Sequence, residues 1–78
     1  MVKPIVYTTA TCPYCVLLKQ FLDSQGIPYE ERNVSRERRY AAELASLGTL
    51  GVPTTVVGDQ VIIGYQPQRI LEAVGAAG

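Results

Sequence analysis

Hydrophobic positions along this chain follow two rhythms: short β-branched runs and longer stretches with helical spacing. Ile5-Val6-Tyr7 reads as a short strand, and the polar segment from Thr8 to Thr11 as a turn. Pro13 suits the first position of a helix, where its missing N–H costs nothing. From there to Gln25, apolar side chains at Val16, Leu17, Phe21 and Leu22 fall close to one helical face. Gly26 marks the stop, with Pro28 just beyond. Tyr29 to Val34 predicts a second and weaker strand, charged at Glu30, Glu31 and Arg32. Arg32 falls where alternation favours an apolar residue, so this strand is expected at a sheet edge with the guanidinium in solvent. Ser35 reads as the N-cap of the next helix, whose buried stripe is Tyr40, Leu44 and Leu47 and whose end is Gly48. Gly51-Val52-Pro53 forms a turn into Thr54–Val57, and Gly58-Asp59 a tight hairpin into Gln60–Ile63. Gly64 breaks that strand. Ile70, Leu71 and Val74 form the apolar face of a final helix, expected to fray through Gly75-Ala76-Ala77-Gly78.

The order is therefore β-α-β-α-β-β-α. Two strands joined through a helix are expected to be parallel, by a right-handed crossover. The last two are close enough in sequence for an antiparallel hairpin. The result is an α/β fold: a mixed four-stranded sheet flanked by three helices, with helices on both faces. No linker or repeat interrupts residues 1–78, so a single domain is expected.

Composition narrows the function. A chain of 78 residues is small, and such domains bury only about 60% of their unfolded surface. Seven basic and seven acidic residues cancel, leaving no global field to attract nucleic acid or an anionic membrane. Arg36, Arg38 and Arg39 cluster, but Glu37 interrupts them, and a solvated helix face is expected rather than a docking patch. No apolar run approaches the roughly 20 residues that span a bilayer. Met1-Val2-Lys3-Pro4 leads straight into a strand without a signal peptide's long apolar region, so a cytoplasmic location is expected. In a reducing compartment two cysteines are more often catalytic or metal-binding than a structural staple. A staple of this spacing would also close a very short loop and contribute little.

Those two residues are the ends of Cys12-Pro13-Tyr14-Cys15, at the junction of a strand-like run and a helix-like one. With Pro13 as the first helical residue, Cys12 becomes the N-cap. Its sulfur is expected to accept hydrogen bonds from the N–H groups of Tyr14 and Cys15, at the positive end of the helix dipole. That environment predicts a thiol pKa below the reference of about 8.5. Cys15 lies one turn further in and should be covered. A disulfide-exchange cycle follows, in which Cys12 attacks a substrate disulfide and Cys15 resolves the mixed disulfide. Two thiolates supply only half of a tetrahedral zinc site, and the chain has no histidine, so no metal ligands are assigned. Lys19, one turn beyond Cys15, is expected on a solvated face, with a raised positive potential near the thiols as the alternative. Tyr7 is expected to pack under the sheet and Arg69 to be a surface charge. Tyr14 could flank the substrate sulfur or simply be a half-exposed aromatic of the first helical turn.

The ordered set "VYTTATCPYC", "GVPTTVV" and "VIIGYQPQRI" resembles the glutaredoxin family over nearly the whole chain. It is similar both to short bacterial glutaredoxin-like proteins and to the related redoxins that donate electrons to ribonucleotide reductase. The resemblance implies a thioredoxin-like fold and a thiol–disulfide oxidoreductase, with Cys12 as nucleophile and Cys15 as resolving thiol. It implies a cis Val52–Pro53 bond beside the active cysteine, leaving the Val52 backbone to pair with an extended substrate. Pro13, Tyr14, Val52, Pro53, Gly64 and Tyr65 are the substrate-binding residues it points to. Disulfide-containing proteins are the implied partners of a protein expected to act as a monomer. The resemblance implies glutathione or thioredoxin reductase as the electron source, and no tightly bound cofactor is expected. Thr9 stands where glutathione-using members usually carry a lysine. Ile63-Gly64-Tyr65-Gln66 replaces their glycine pair and aspartate, and charge-assisted bonds of about 1.5–3 kcal/mol each go with them. Gly64-Tyr65-Gln66-Pro67 resembles the ribonucleotide-reductase redoxins instead, while Cys-Pro-Tyr-Cys is the glutaredoxin tetrapeptide. A dimer sharing an iron–sulfur cluster through Cys12 and Cys15 is a further alternative, disfavoured by the stiffness Pro13 gives the loop.

Overall fold

The computed structural model describes residues 3–77. Its elements are β1 (Ile5–Thr8), α1 (Pro13–Ser24), β2 (Glu30–Asn33), α2 (Arg38–Ser46), β3 (Thr54–Val57), β4 (Gln60–Ile63) and α3 (Pro67–Ala77). The strands form one sheet in the order β2-β1-β3-β4. β1 and β2 run parallel, whereas β1/β3 and β3/β4 are antiparallel, which is the expected mixed sheet. Alternation along β1 divides the molecule into its layers. Val6 points into a core made with Leu18 and Leu22 of α1, Val57 and Ile62 of the sheet, and Ile70 and Ala73 of α3. Tyr7 points the other way and donates a hydrogen bond to Glu43 of α2 at 3.1 Å. Helices α1 and α3 thus share one face, and α2 covers the other.

Three expectations need correction in detail. The buried stripe of α1 is Cys15, Leu18 and Leu22, with Phe21 packed beside it; Val16 and Leu17 are 49% and 45% exposed. Three consecutive apolar residues, Val16 to Leu18, fit several helical phases. Packing of Leu18 and Leu22 into the core selects the one in which positions 15, 18 and 22 face the sheet. Ser35 does not cap α2, whose N-cap is Glu37. Asn33 takes Ser35 instead: its Oδ1 accepts from the Ser35 N–H at 2.9 Å and from the Ser35 hydroxyl, and its carbonyl accepts from the Arg36 N–H at 3.1 Å. This local turn delays the helix by two residues, because a short Asn side chain competes for the backbone donors a helix would use. In α3 the buried positions are Ile70 and Ala73, with Val74 alongside, whereas Leu71 is only half-buried. The helix also continues through Gly75 to Ala77, and Gly78 lies outside the described residues.

Arg32 is the reason a strand as polar as β2 holds its place. Its Nη1 donates to Glu43 at 2.7 Å and to the Tyr7 hydroxyl at 3.3 Å, and its Nε donates to Glu30 at 2.6 Å. The guanidinium also lies over the rings of Tyr7 and Tyr40, at 5.9 and 5.7 Å from their centroids. The head is therefore engaged between an edge strand and α2, not free in solvent. Pairing with both carboxylates, Glu30 foremost, raises its already high pKa.

Buried Thr55 sits opposite Val6 in the sheet, and its hydroxyl finds no hydrogen-bond partner among the described residues. Thr55→Val replaces that hydroxyl with a methyl group of similar shape. Urea denaturation is expected to show a gain of about 1 kcal/mol for it, against a loss of about 2–5 kcal/mol for Leu22→Ala.

Candidate functional site

The start of α1 is built as its sequence demands. Pro13 occupies N1, and Cys12, in extended conformation at φ −96° and ψ 108°, is the N-cap. The Cys12 sulfur accepts a hydrogen bond from the Cys15 N–H at 3.1 Å. The second expected bond, from Tyr14, is not formed, since an N-cap side chain reaches the third helical N–H more readily than the second here. Both cysteines are free thiols. Cys12 is half-buried, and Cys15 is 1% exposed. Burial, aided by the hydrogen bond to Cys12, pushes the Cys15 thiol from 9.0 up to about 12, although the Thr9 backbone amide and the Lys19 charge oppose the rise. One helical turn thus separates an accessible sulfur from a protonated, covered one.

The remaining expected residues come from three other parts of the chain. Tyr14, Val52, Pro53, Gly64 and Tyr65 line one groove of about 410 Å³. Tyr14 and Tyr65 stand 58% and 39% exposed, with ring centroids 6.0 Å apart and planes inclined by 33°. Cys12 lies two residues before Tyr14, at the helix end that borders this groove. The Val52–Pro53 peptide is cis. Pro53 is buried, and its carbonyl accepts from the Gly64 N–H at 2.8 Å, which ties the turn before β3 to the residue after β4. No hydrogen bond among the described residues takes up the main-chain groups of Val52. Gly64 has φ 90°, a conformation that side chains rarely adopt, and the chain turns there to bring Tyr65 over the groove. None of the five lining residues is charged.

A further group was not legible in the sequence. The Thr8 hydroxyl, fully buried, donates to Glu31 at 2.7 Å, and Lys19 donates to the same carboxylate oxygen at 3.0 Å. Lys19 is therefore paired rather than simply solvated. The clue available was its place four residues after Cys15, on one helix face. Among the described residues, no group of three or more His, Cys, Asp or Glu side chains could hold a metal ion. No helix there is long and apolar enough to cross a membrane.

A family model described as Glutaredoxin matches residues 5–62. The chain belongs to the glutaredoxin family. It is 35% identical to the glutaredoxin of Pseudomonas aeruginosa over 72 residues, covering 91% of this chain and 86% of that one. It is 29% identical over 65 residues to the glutaredoxin-like protein NrdH of Escherichia coli, covering 83% of this chain and 80% of that one. The solved structure of the NrdH-redoxin from Escherichia coli superposes with a TM-score of 0.83 at 27% identity, over 90% of this chain and 92% of that one. The thioredoxin-like fold and the thiol–disulfide oxidoreductase class follow from family and fold together.

The contrast between the two sulfurs has a direct readout. At pH 7–8 the reduced protein is expected to take up one equivalent of iodoacetamide rapidly, on Cys12. Cys15 should react only after unfolding, because its thiol stays protonated and covered well above that pH. Peptide mapping by mass spectrometry checks the order.

Proposed function

We propose that this glutaredoxin-family protein reduces disulfides carried on extended protein segments, by dithiol exchange through Cys12 and Cys15. The observation that carries this reading is the uncharged groove of Tyr14, Val52, Pro53, Gly64 and Tyr65 beside the two-cysteine helix end. An extended segment entering it would find the unengaged backbone of Val52 to pair with and two aromatic rings to flank its half-cystine. Cys12 attacks the substrate disulfide and forms a mixed disulfide. Cys15 then loses its proton and attacks the Cys12 sulfur, a Cys12–Cys15 bond forms, and the substrate leaves as a thiol.

Glutathione is a weaker ligand in this account. Its charged ends need a cation and a carboxylate or N–H cluster, and the groove lining supplies no charge. Gln66, where glutathione-using relatives carry an aspartate, turns its amide to the Ile63 carbonyl at 2.6 Å. Thr9 leaves the usual lysine position uncharged.

A second reading is favoured by Gly64-Tyr65-Gln66-Pro67. Reduction would come from thioredoxin reductase by protein contact, and ribonucleotide reductase would be the acceptor. The NrdH-redoxin of Escherichia coli is described as having a thioredoxin-like activity profile.

The test follows NADPH oxidation during reduction of a protein disulfide, with two parallel electron supplies: glutathione with glutathione reductase, and thioredoxin reductase alone. Cys12→Ser is expected to abolish turnover in both. Turnover with thioredoxin reductase alone is the result of the second reading. Fast turnover that saturates at low glutathione concentration would contradict the groove argument.

A further inference from the structure

The thiol that must be activated in the resolving step is the buried one. A sulfur as covered as Cys15 attacks only after losing its proton, so something nearby must govern that loss. The groups that face it are few. On α1 they are Cys12, whose sulfur accepts the Cys15 N–H, and Lys19, four residues along the same face. On β2 it is Glu31, reached through Lys19. Tyr29 and Arg36 act on Lys19 and Glu31 respectively rather than on the thiol. The buried Thr8, Thr55 and Ile70 of β1, β3 and α3 carry no charge.

Lys19 and Glu31 form a connected device rather than a surface ion pair. Glu31 Oε2 accepts from Lys19 and from the fully buried Thr8 hydroxyl at the same time. Thr8 leads directly into Thr9, whose backbone amide favours the Cys15 thiolate. The pair therefore touches the thiol's surroundings from two sides, through α1 and through the end of β1. Its outer side lines a cleft of about 420 Å³ with Asn33, Arg36, Glu37 and Tyr40, which admits water up to the Lys19 ammonium.

We propose that Lys19 and Glu31 are positioning residues for the resolving step: the Lys19 charge helps Cys15 release its proton, and Glu31, fixed by Thr8, restrains that help. This rests on the reading of Cys15 as resolving thiol. The proton passes to solvent through the cleft. The Cys15 thiolate attacks the Cys12 sulfur, the Cys12–Cys15 bond forms, and the bond from Cys12 to the substrate sulfur breaks. The leaving thiolate takes a proton from water. Two electrons pass from the dithiol to the substrate. Glu31 keeps the cation anchored and moderates the field it exerts on the Cys15 thiol.

The two side chains act in opposite directions, which makes the proposal separable from a structural role. Removing Lys19 is expected to make Cys15 harder to ionise, and removing Glu31 to make it easier. Below the thiol's pKa the thiolate fraction follows that shift, partly offset by nucleophilicity, so the rate changes about threefold. The assay mixes reduced protein with an aryl disulfide, 5,5′-dithiobis(2-nitrobenzoate), in a stopped-flow instrument. The first release of aryl thiolate reports Cys12 attack and the second reports Cys15 resolution. Cys15→Ser must lose only the second phase; if the second phase survives there, the underlying dithiol reading fails. With that established, Lys19→Met is expected to slow the second phase about threefold and Glu31→Gln to accelerate it by a similar factor, with Lys19→Arg restoring the wild-type rate. The first phase is the internal reference, because a folding defect would disturb both. Equal second-phase rates in wild type and both variants, or changes in the same direction, would overturn the proposal.

Discussion

The structure depends on the rotational phase of α1. Leu18 and Leu22 pack in the core with Val6, Val57, Ile62 and Ile70. That packing carries Cys15 inward with them and leaves Cys12 as the cap at the open end. The contrast in exposure between the two sulfurs is thus a consequence of hydrophobic burial, each large side chain contributing about 1.5–3 kcal/mol. The same sulfur pair on an unpacked loop would have two similar thiols. Here one is accessible and capped by an N–H, while the other is held protonated by its surroundings.

A small domain cannot cover both sheet faces equally with apolar side chains, and this one treats them differently. The α1/α3 face is a hydrophobic core. The α2 face is organised around Arg32, held by Glu30, Glu43 and the rings of Tyr7 and Tyr40. That arrangement fixes α2 against β2 and β1, and the chain leaving α2 runs into the Val52–Pro53 turn. It also gives the edge strand β2 a dense array of charges, which discourages pairing with another chain. The site is therefore supported from two sides, by packing from α1 and by ion pairing near β2.

Most of the architecture was legible because strands, glycine stops and the Cys-Pro-Tyr-Cys junction are local signals. The mixed sheet and its element order needed only the crossover rule and a two-residue hairpin. What stayed hidden was non-local or degenerate. The phase of α1 could not be read from the run Val16-Leu17-Leu18, since several stripes fit it. The start of α2 was misplaced at Ser35 because Asn33 captures that residue's backbone and hydroxyl, a competition that a capping pattern does not reveal. Arg32 was placed at the correct edge but without its partners, which lie 2, 11 and 25 residues away. The groove residues were reached through family resemblance, because positions 14, 52, 53, 64 and 65 have no common spacing. Lys19 carried a signal, its i+4 relation to Cys15, whereas the Thr8–Glu31 link needed the parallel pairing of β1 with β2.

The central claim is that an open Cys12 makes the first bond to substrate and a buried Cys15 completes the exchange. Trapping the intermediate tests it most directly. Wild type, Cys12→Ser and Cys15→Ser proteins would each be mixed with a peptide disulfide and weighed intact by mass spectrometry. The account requires a lasting one-peptide adduct on Cys12 in the Cys15→Ser protein, none in Cys12→Ser, and in the wild type an internal disulfide without peptide. A stable adduct on Cys15 in the Cys12→Ser protein, formed as fast as the Cys12 adduct, would contradict it.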